Sequence, residues 1–513
     1  MAELSENKRI VINLTTTLIA TFTTACVGFF LSPFVVRTIG VEAQGFVQLA
    51  SNFTSCAALI TIALNSMAGR FITIAIQQGD KQKAEKYYTS VFCGNAAIVA
   101  ALIIPVALCV LALDRLIDIP ARLIIDVKLL FGFVFINFFA STIFSLWNNT
   151  FYITNKPYLQ SFGSVISTLL SAAIVFILFS TFPPKMFYSS LAGMGAAAFT
   201  ACWSGRYKNK LLPMLKVKRS AASLKCLKEI VSSGVWRTVQ SVGEMLLNGL
   251  DLLICNLLIN PVMMGVLALS KMLPAILGSL NWQIASTFAP QLTINFAKGN
   301  NRALLPGIRK ACKINAVLGT VPIAGLIVYG KEFFRLWVPS QDAAMLQRLS
   351  VLACAGLLFV SGIQPIGNIF ATANKVKPQA VSVIISGVLN TVIVFACLKL
   401  TSLGVYVIAG TSTALLVIRN IIYTVPAAAR YLGFPWHTFF FGFGYSLTGS
   451  AIAAVIGFAV KYVITPGNWS TFIMSCAVTG IVGLVLNAII IFNKNERKWI
   501  WTRLKGSFCS TSR

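Results

Sequence analysis

Phe29–Arg70 reads FFLSPFVVRTIGVEAQGFVQLASNFTSCAALITIALNSMAGR. Two apolar runs flank a short polar turn that holds Arg37, Gly40, Glu42 and Gly45. Followed outward, the runs cover residues 11–36 and 46–68. At about 1.5 Å per helical residue, each is long enough to cross a hydrocarbon core of about 30 Å. The stretch predicts two consecutive membrane-spanning helices.

The same pattern recurs along all 513 residues. The chain is 57% hydrophobic and only 11% charged, with a mean hydropathy of +0.80. A soluble chain carries about 25% charged residues, so most of this one faces lipid or other helices. Further spans are expected at 88–112, 128–152, 158–181, 186–205, 231–258, 262–294, 311–330, 345–371, 378–400, 403–428, 438–464 and 470–492. The fold class is therefore all-α and polytopic, with about fourteen transmembrane helices. Pro33, Pro105, Pro274, Pro322 and Pro365 fall inside spans, where neighbouring helices can re-satisfy the freed backbone groups. No small-residue cleavage site follows a short apolar core near Met1, which reads as a retained first span and not a signal peptide.

Of the 42 Lys and Arg, 29 fall on one side of the alternating spans, 10 on the other and three within spans. Positively charged loops stay cytoplasmic, so both termini are expected there. The net charge of +28 is largely this asymmetry, and basic residues confined to short inter-helix loops argue against nucleic-acid binding. Trp499 and Trp501 among the basic residues of the tail fit an interfacial segment on anionic lipid.

The chain also repeats itself at an offset of about 220 residues. Ile39–Gly45 (IGVEAQG) falls against Ile259–Gly265 (INPVMMG), Gly79-Asp80 against Gly299-Asn300, and Arg115-Leu116 against Arg335-Leu336. Phe151 and Asn155-Lys156 fall against Phe370 and Asn374-Lys375. Each copy holds six spans, an even number, so the repeats are parallel. The expected organisation is a six-helix lobe at 1–205, a basic cytoplasmic linker at 206–230 and a second six-helix lobe at 231–430. Two additional helices follow at 431–492, and a basic tail at 493–513.

Charges buried in a bilayer cost at least about 2.5 kcal/mol each, so they mark function more often than not. The only acids deep within a span are Glu244 and Asp251, with Arg237 ahead of them at the same seven-residue interval. Seven residues is nearly two helical turns, which places the three on one face. Lys271 lies at a depth close to that of Asp251, and Arg419 is the remaining deep cation. The plainer reading is a set of structural pairs locking spans seven and eight. Asn13, Thr17, Thr21 and Thr24 form a polar stripe on span one; bonding to their own backbone carbonyls explains it as well as cavity lining does. Arg37 and Arg70 sit at span ends, where snorkelling accounts for them as readily as ligand contact.

Enzyme motifs are missing: no Gly-rich phosphate loop, no DxD, no Ser/His/Asp set. The twelve cysteines are scattered and His437 is the only histidine, so no metal or cofactor is expected. Asp114, Asp118 and Asp126, interleaved with Arg115, Arg122 and Lys128, read as a solvated external segment.

Phe29–Arg70 resembles the start of polysaccharide-transport and O-antigen flippases of the multidrug/oligosaccharidyl-lipid/polysaccharide exporter superfamily. The likeness rests on Pro33 and Arg37 ahead of Gly40, on Gly45 five residues on, and on Arg70 closing the second span. It extends over nearly the whole chain through the six-plus-six-plus-two layout. The resemblance implies alternating access and a lipid-linked oligosaccharide substrate at a bacterial inner membrane, without catalysis. It also implies a cationic cavity, matched by Arg237, Lys271 and Arg419, with Glu244 and Asp251 available to a proton or sodium ion. A polysaccharide polymerase is a conceivable partner. The alternative is a cation-coupled drug or metabolite antiporter, disfavoured because span one lacks an acid. A lipid II flippase and a membrane glycosyltransferase rank below it.

Overall fold

The computed structural model describes residues 6–218, 221–297 and 301–497. The tail with Trp499 and Trp501, and the Gly299-Asn300 landmark, lie outside them. Among the described residues fourteen long helices follow one another: α1 (Glu6–Thr38), α2 (Val41–Gln77), α3 (Lys81–Leu111), α4 (Ala121–Ile143), α5 (Pro157–Thr181), α6 (Tyr188–Leu211) and α7 (Leu224–Leu258). Then come α8 (Pro261–Ala297), α9 (Asn301–Trp337), α10 (Ala343–Thr372), α11 (Val376–Leu400), α12 (Val405–Tyr431), α13 (Phe441–Val463) and α14 (Trp469–Ile491). No strand occurs among the described residues.

Thirteen of these helices are long and apolar enough to cross a membrane. The exception is α6, whose Gly, Ala and Ser content dilutes its hydropathy although the helix itself is continuous. Pro33, Pro105, Pro274 and Pro322 all sit inside helices, and Pro365 lies in a 3₁₀ stretch, Ser361–Gly367.

The repeat appears in the backbone itself. Asn155 and Asn374 both have φ 54°, a left-handed conformation that Asn tolerates better than other residues with a Cβ. Behind each, the same turn closes: Lys156 N–H donates to Phe151 O at 2.8 Å and Lys375 N–H to Phe370 O at 2.7 Å. Both turns end the helix in one geometry and start the next. The glycines of the first landmark meet each other. A Cβ on Gly45 would stand 2.9 Å from the Gly265 nitrogen, and one on Gly265 would collide with the Val41 carbonyl. Only glycine lets these two turns touch.

Contacts divide the chain into two units, Met1–Ala268 and Leu269–Arg513. In the first, α7 lies along α2, α5 packs between α1 and α6, and α4 packs on α6 and α3. Gly234 permits the α7–α2 approach, because any Cβ there would strike the Ala63 carbonyl. In the second unit α9 is central: 72% of its apolar window is buried, against 11% for α3 or α5. It packs on α10, α13 and α14, and Tyr329 on α9 donates to Gly457 O of α13 at 2.9 Å.

Candidate functional site

Helix α7 carries packed apolar positions and a polar line side by side. Ser223 caps its start, accepting from Cys226 N–H, and Ile230, Gly234, Gly243 and Leu247 are buried. Beside them runs a polar line in which Ser233, Arg237, Glu244 and Asn248 are exposed and Gln240 is half-buried. Gln240 Nε2 donates to Glu244 Oε1 at 2.8 Å, which holds the carboxylate along the helix. A polar line with two charges on a bilayer-length helix would be costly against lipid.

The helix is then interrupted at Gly249–Leu250 and restarts as Asp251–Leu258. Asn52 on α2 donates to the Gly249 carbonyl at 3.0 Å, supplying a partner that the broken helix no longer provides. Asp251, 1% exposed, occupies the first turn of the new segment, where the helix dipole favours a carboxylate. Arg237 and Glu244 are exposed whereas Asp251, beyond the interruption, is buried.

The other deep cations also sit at helix irregularities. Lys271, half-buried on α8, precedes Pro274 by three residues. Arg419, half-buried on α12, is the last residue before a π-helical segment, Asn420–Thr424. Such segments recur at functional positions in membrane helices. Arg37 and Arg70 are exposed near the ends of α1 and α2. On α1, Thr17, Thr21 and Thr24 donate to the carbonyls of Asn13, Thr17 and Ala20 at 2.8, 3.0 and 3.0 Å. Thr17 and Thr24 also meet Ser161 and Thr168 of α5, at 3.1 and 3.4 Å. Half the stripe is thus a seam between two helices.

Acidic residues before and at the start of α4, and Glu42 of α2, are held in clamps. Lys128 bonds Asp114 at 2.6 Å and holds that carboxyl below its usual range. Lys185 reaches Asp126 at 3.4 Å, and Arg122 reaches Glu42 at 2.7 Å. Asn256 exchanges two 2.9 Å hydrogen bonds with the backbone of Asp118. Among the described residues no group of three metal-ligating side chains occurs.

Sequence reasoning missed a duplicated hydrogen-bonded triad. In the first unit Asn65 and Asn95 exchange hydrogen bonds at 3.2 and 3.0 Å, and Asn95 also donates to Ser145 at 3.1 Å. In the second, Asn281 donates to Ser361 Oγ at 3.0 Å, while Asn315 donates to Asn281 Oδ1 at 2.6 Å and to the Ser361 carbonyl at 2.5 Å. Ser145 follows the end of α4 and begins a short helix, Ser145–Ile153, while Ser361 opens the 3₁₀ stretch of α10. Each triad thus pins an interrupted helix. The available signal was Asn95 against Asn315, spaced as the repeat landmarks are.

No family model matches the chain. A relative described as an uncharacterized membrane protein EpsK, from Bacillus subtilis (strain 168), is 27% identical over 494 residues, covering 96% of this chain and 97% of that protein. Among solved structures, the lipid II flippase MurJ in an inward closed conformation superposes with a TM-score of 0.68 at 14% identity, covering 94% of this chain and 99% of that one. An inward-facing multidrug resistance MATE family transporter of the MOP superfamily superposes at 0.65 with 13% identity, over 82% and 98%. The chain shares its fold with these two solved structures.

Proposed function

We propose that this chain is a flippase that moves a polyprenyl-diphosphate-linked oligosaccharide across the cytoplasmic membrane by alternating access. The observation that carries the reading is the polar line Ser233–Arg237–Gln240–Glu244, exposed except for half-buried Gln240, on a bilayer-length helix that also packs on α2. Lipid would penalise it, so it belongs in a water-filled path. A diphosphate headgroup needs such a path, whereas its polyprenyl tail can stay in hydrocarbon. Arg237, Lys271 and Arg419 offset the loss of hydration of the phosphates, and Arg37 and Arg70 meet the headgroup at the path's ends. Glu244 and Asp251 are the groups available to a coupling proton or sodium ion. In this reading both termini are cytoplasmic. The likeness to a lipid II flippase fold is consistent with this cargo class.

Arg237→Ala and Lys271→Ala are expected to abolish surface polysaccharide while the protein stays in the membrane. Normal polysaccharide in both variants would refute the headgroup role. A second reading, a cation-coupled antiporter, draws on the exposed carboxylate of Glu244 and the likeness to a multidrug transporter. Ethidium efflux from overexpressing cells, lost in Glu244→Gln, would favour it.

A further inference from the structure

The first unit contains a cavity of about 450 Å³ between α2, α4 and α6, apart from the charged line on α7. Its size is that of a small-molecule site, roughly 300–1,000 Å³. Ser51 and Ser55 of α2, Asn137, Phe138 and Ser141 of α4, and Ser190 of α6 are among its lining residues, and no lining residue is charged.

The hydrogen-bond directions in this wall are already set. Ser51 donates to Val47 O at 3.3 Å, Ser55 to Ser51 O at 2.9 Å, and Ser141 to Asn137 Oδ1 at 3.3 Å. With their protons spent on the protein, these hydroxyls offer acceptor lone pairs. Asn137, its oxygen engaged by Ser141, offers the amide donor. Gly193 leaves room for that amide, since a Cβ there would stand 3.3 Å from Asn137 Nδ2. A wall of acceptors with the Asn137 amide and the Ser190 hydroxyl as donors, and one aromatic face, suits a group rich in hydroxyls, each able to donate and accept. It does not suit a diphosphate, which brings acceptors and negative charge only.

We propose that this cavity is a sugar subsite, which takes a neutral pyranose of the lipid-linked substrate against Phe138 while the cationic residues take the phosphates. The inference rests on the flippase reading above and adds to it the residues that recognise the sugar.

The test uses the full-length protein in lipid nanodiscs and two probes, undecaprenyl diphosphate and the same lipid bearing N-acetylglucosamine. The intact protein should bind the sugar-bearing lipid about ten-fold more tightly, as one or two well-made hydrogen bonds allow. Ser55→Leu, which fills the cavity, and Asn137→Leu, which removes its amide donor, should each erase that preference and leave binding of the bare lipid unchanged. Retained bare-lipid binding shows that a variant is folded; should Ser55→Leu fail this check, Asn137→Leu carries the test. A preference that survives in a folded variant overturns the subsite. So does equal binding of both lipids by the intact protein, although the flippase reading would stand. If the intact protein binds neither lipid, the flippase reading itself falls, and the subsite with it. Stabilisation of the intact protein by sodium that both variants abolish would make the cavity a cation site and also overturn the sugar assignment.

Discussion

In the first unit the Asn65 and Asn95 amides bond each other in both directions, and Asn65 and Ser145 remain half-buried. In the second, Asn281, Asn315 and Ser361 are each no more than 1% exposed, and Asn315 Oδ1 has no hydrogen-bond donor among the described residues. The difference traces to α13. Gly362, next to Ser361, touches Gly442 so closely that a Cβ on Gly442 would lie 2.9 Å from the Gly362 carbonyl, and Gly362 N–H donates to Ser446 Oγ at 2.6 Å. The first copy has its cavity and exposed α7 line; the second has added helices packed on the same kind of interruption. One duplicated device has thus been closed over in one unit and left accessible in the other. Regions with few buried contacts open at lower free energy, so the first interruption should yield before the second.

The strongest way to break this comparison is to loosen the second unit's added helices. Lys313 on α9 is 3% exposed and pairs at 2.7 Å with Glu496, just beyond α14. Removing one partner of a buried ion pair costs about 3–5 kcal/mol, because the other charge is left stranded. Glu496→Ala should therefore lower the melting temperature in detergent sharply, and Lys313→Met added to it should recover most of the loss. Hydrogen exchange should rise at Ser361–Gly367 and stay unchanged around Ser145. A rise at both would show that α13 and α14 do not set the difference.

The same pair gives a pH signature. Burial pushes the Glu496 carboxyl up, but hydrogen bonds from Lys313 and from the Asn493 N–H outweigh it and hold the group below its ordinary value of 4.5. A carboxyl depressed in the folded state contributes stability above its unfolded value and loses it as pH falls through the folded one. Melting temperature should be flat from pH 7 to 5 and fall below about 4.5 in the intact protein. The acid-side fall should shrink in the Glu496→Ala, Lys313→Met double variant.

Next in size is the contrast between the triads themselves. Interhelical hydrogen bonds in membranes average about 0.6 kcal/mol and reach about 1.7. Asn315→Ala strands two fully buried acceptors and should cost about 2 kcal/mol, whereas Asn95→Ala, whose partners are half-buried, should cost about 1. Equal costs would mean that the extra burial in the second unit adds nothing.

Much of the architecture was legible because spanning a bilayer leaves a long uniform signal. All fourteen expected spans correspond to helices, including α6, whose diluted hydropathy still left an uncharged run from Tyr188 to Gly205. Arg237 and Glu244, singled out by their seven-residue spacing, are both exposed on α7. The break at Gly249–Leu250 was not legible, because the apolar pattern continues through it and a lone glycine does not end a helix. The triads were hidden for a related reason: a single Asn in an apolar run says nothing of its partner, and Asn281 lies 80 residues from Ser361. The tight α10–α13 approach was equally silent, since it depends on Gly362 and Gly442 meeting in space.

The smallest predicted effect concerns a place where the two copies should not differ at all. Asn155 and Asn374 share the same φ, and each precedes a lysine whose N–H closes the turn onto a phenylalanine carbonyl five residues earlier. The left-handed conformation costs a residue with an ordinary Cβ about 1–2 kcal/mol, a cost that Asn reduces and Gly avoids. Asn155→Ala and Asn374→Ala should each cost about 1 kcal/mol, the same within a few tenths, and the Gly variants should be close to neutral. Both sites end a helix by local geometry, so neither the cavity nor α13 has any purchase on them. If Asn374→Ala proved far more damaging than Asn155→Ala, the second unit's packing would reach even this turn. The division between duplicated local structure and its unequal surroundings would then have to be drawn elsewhere.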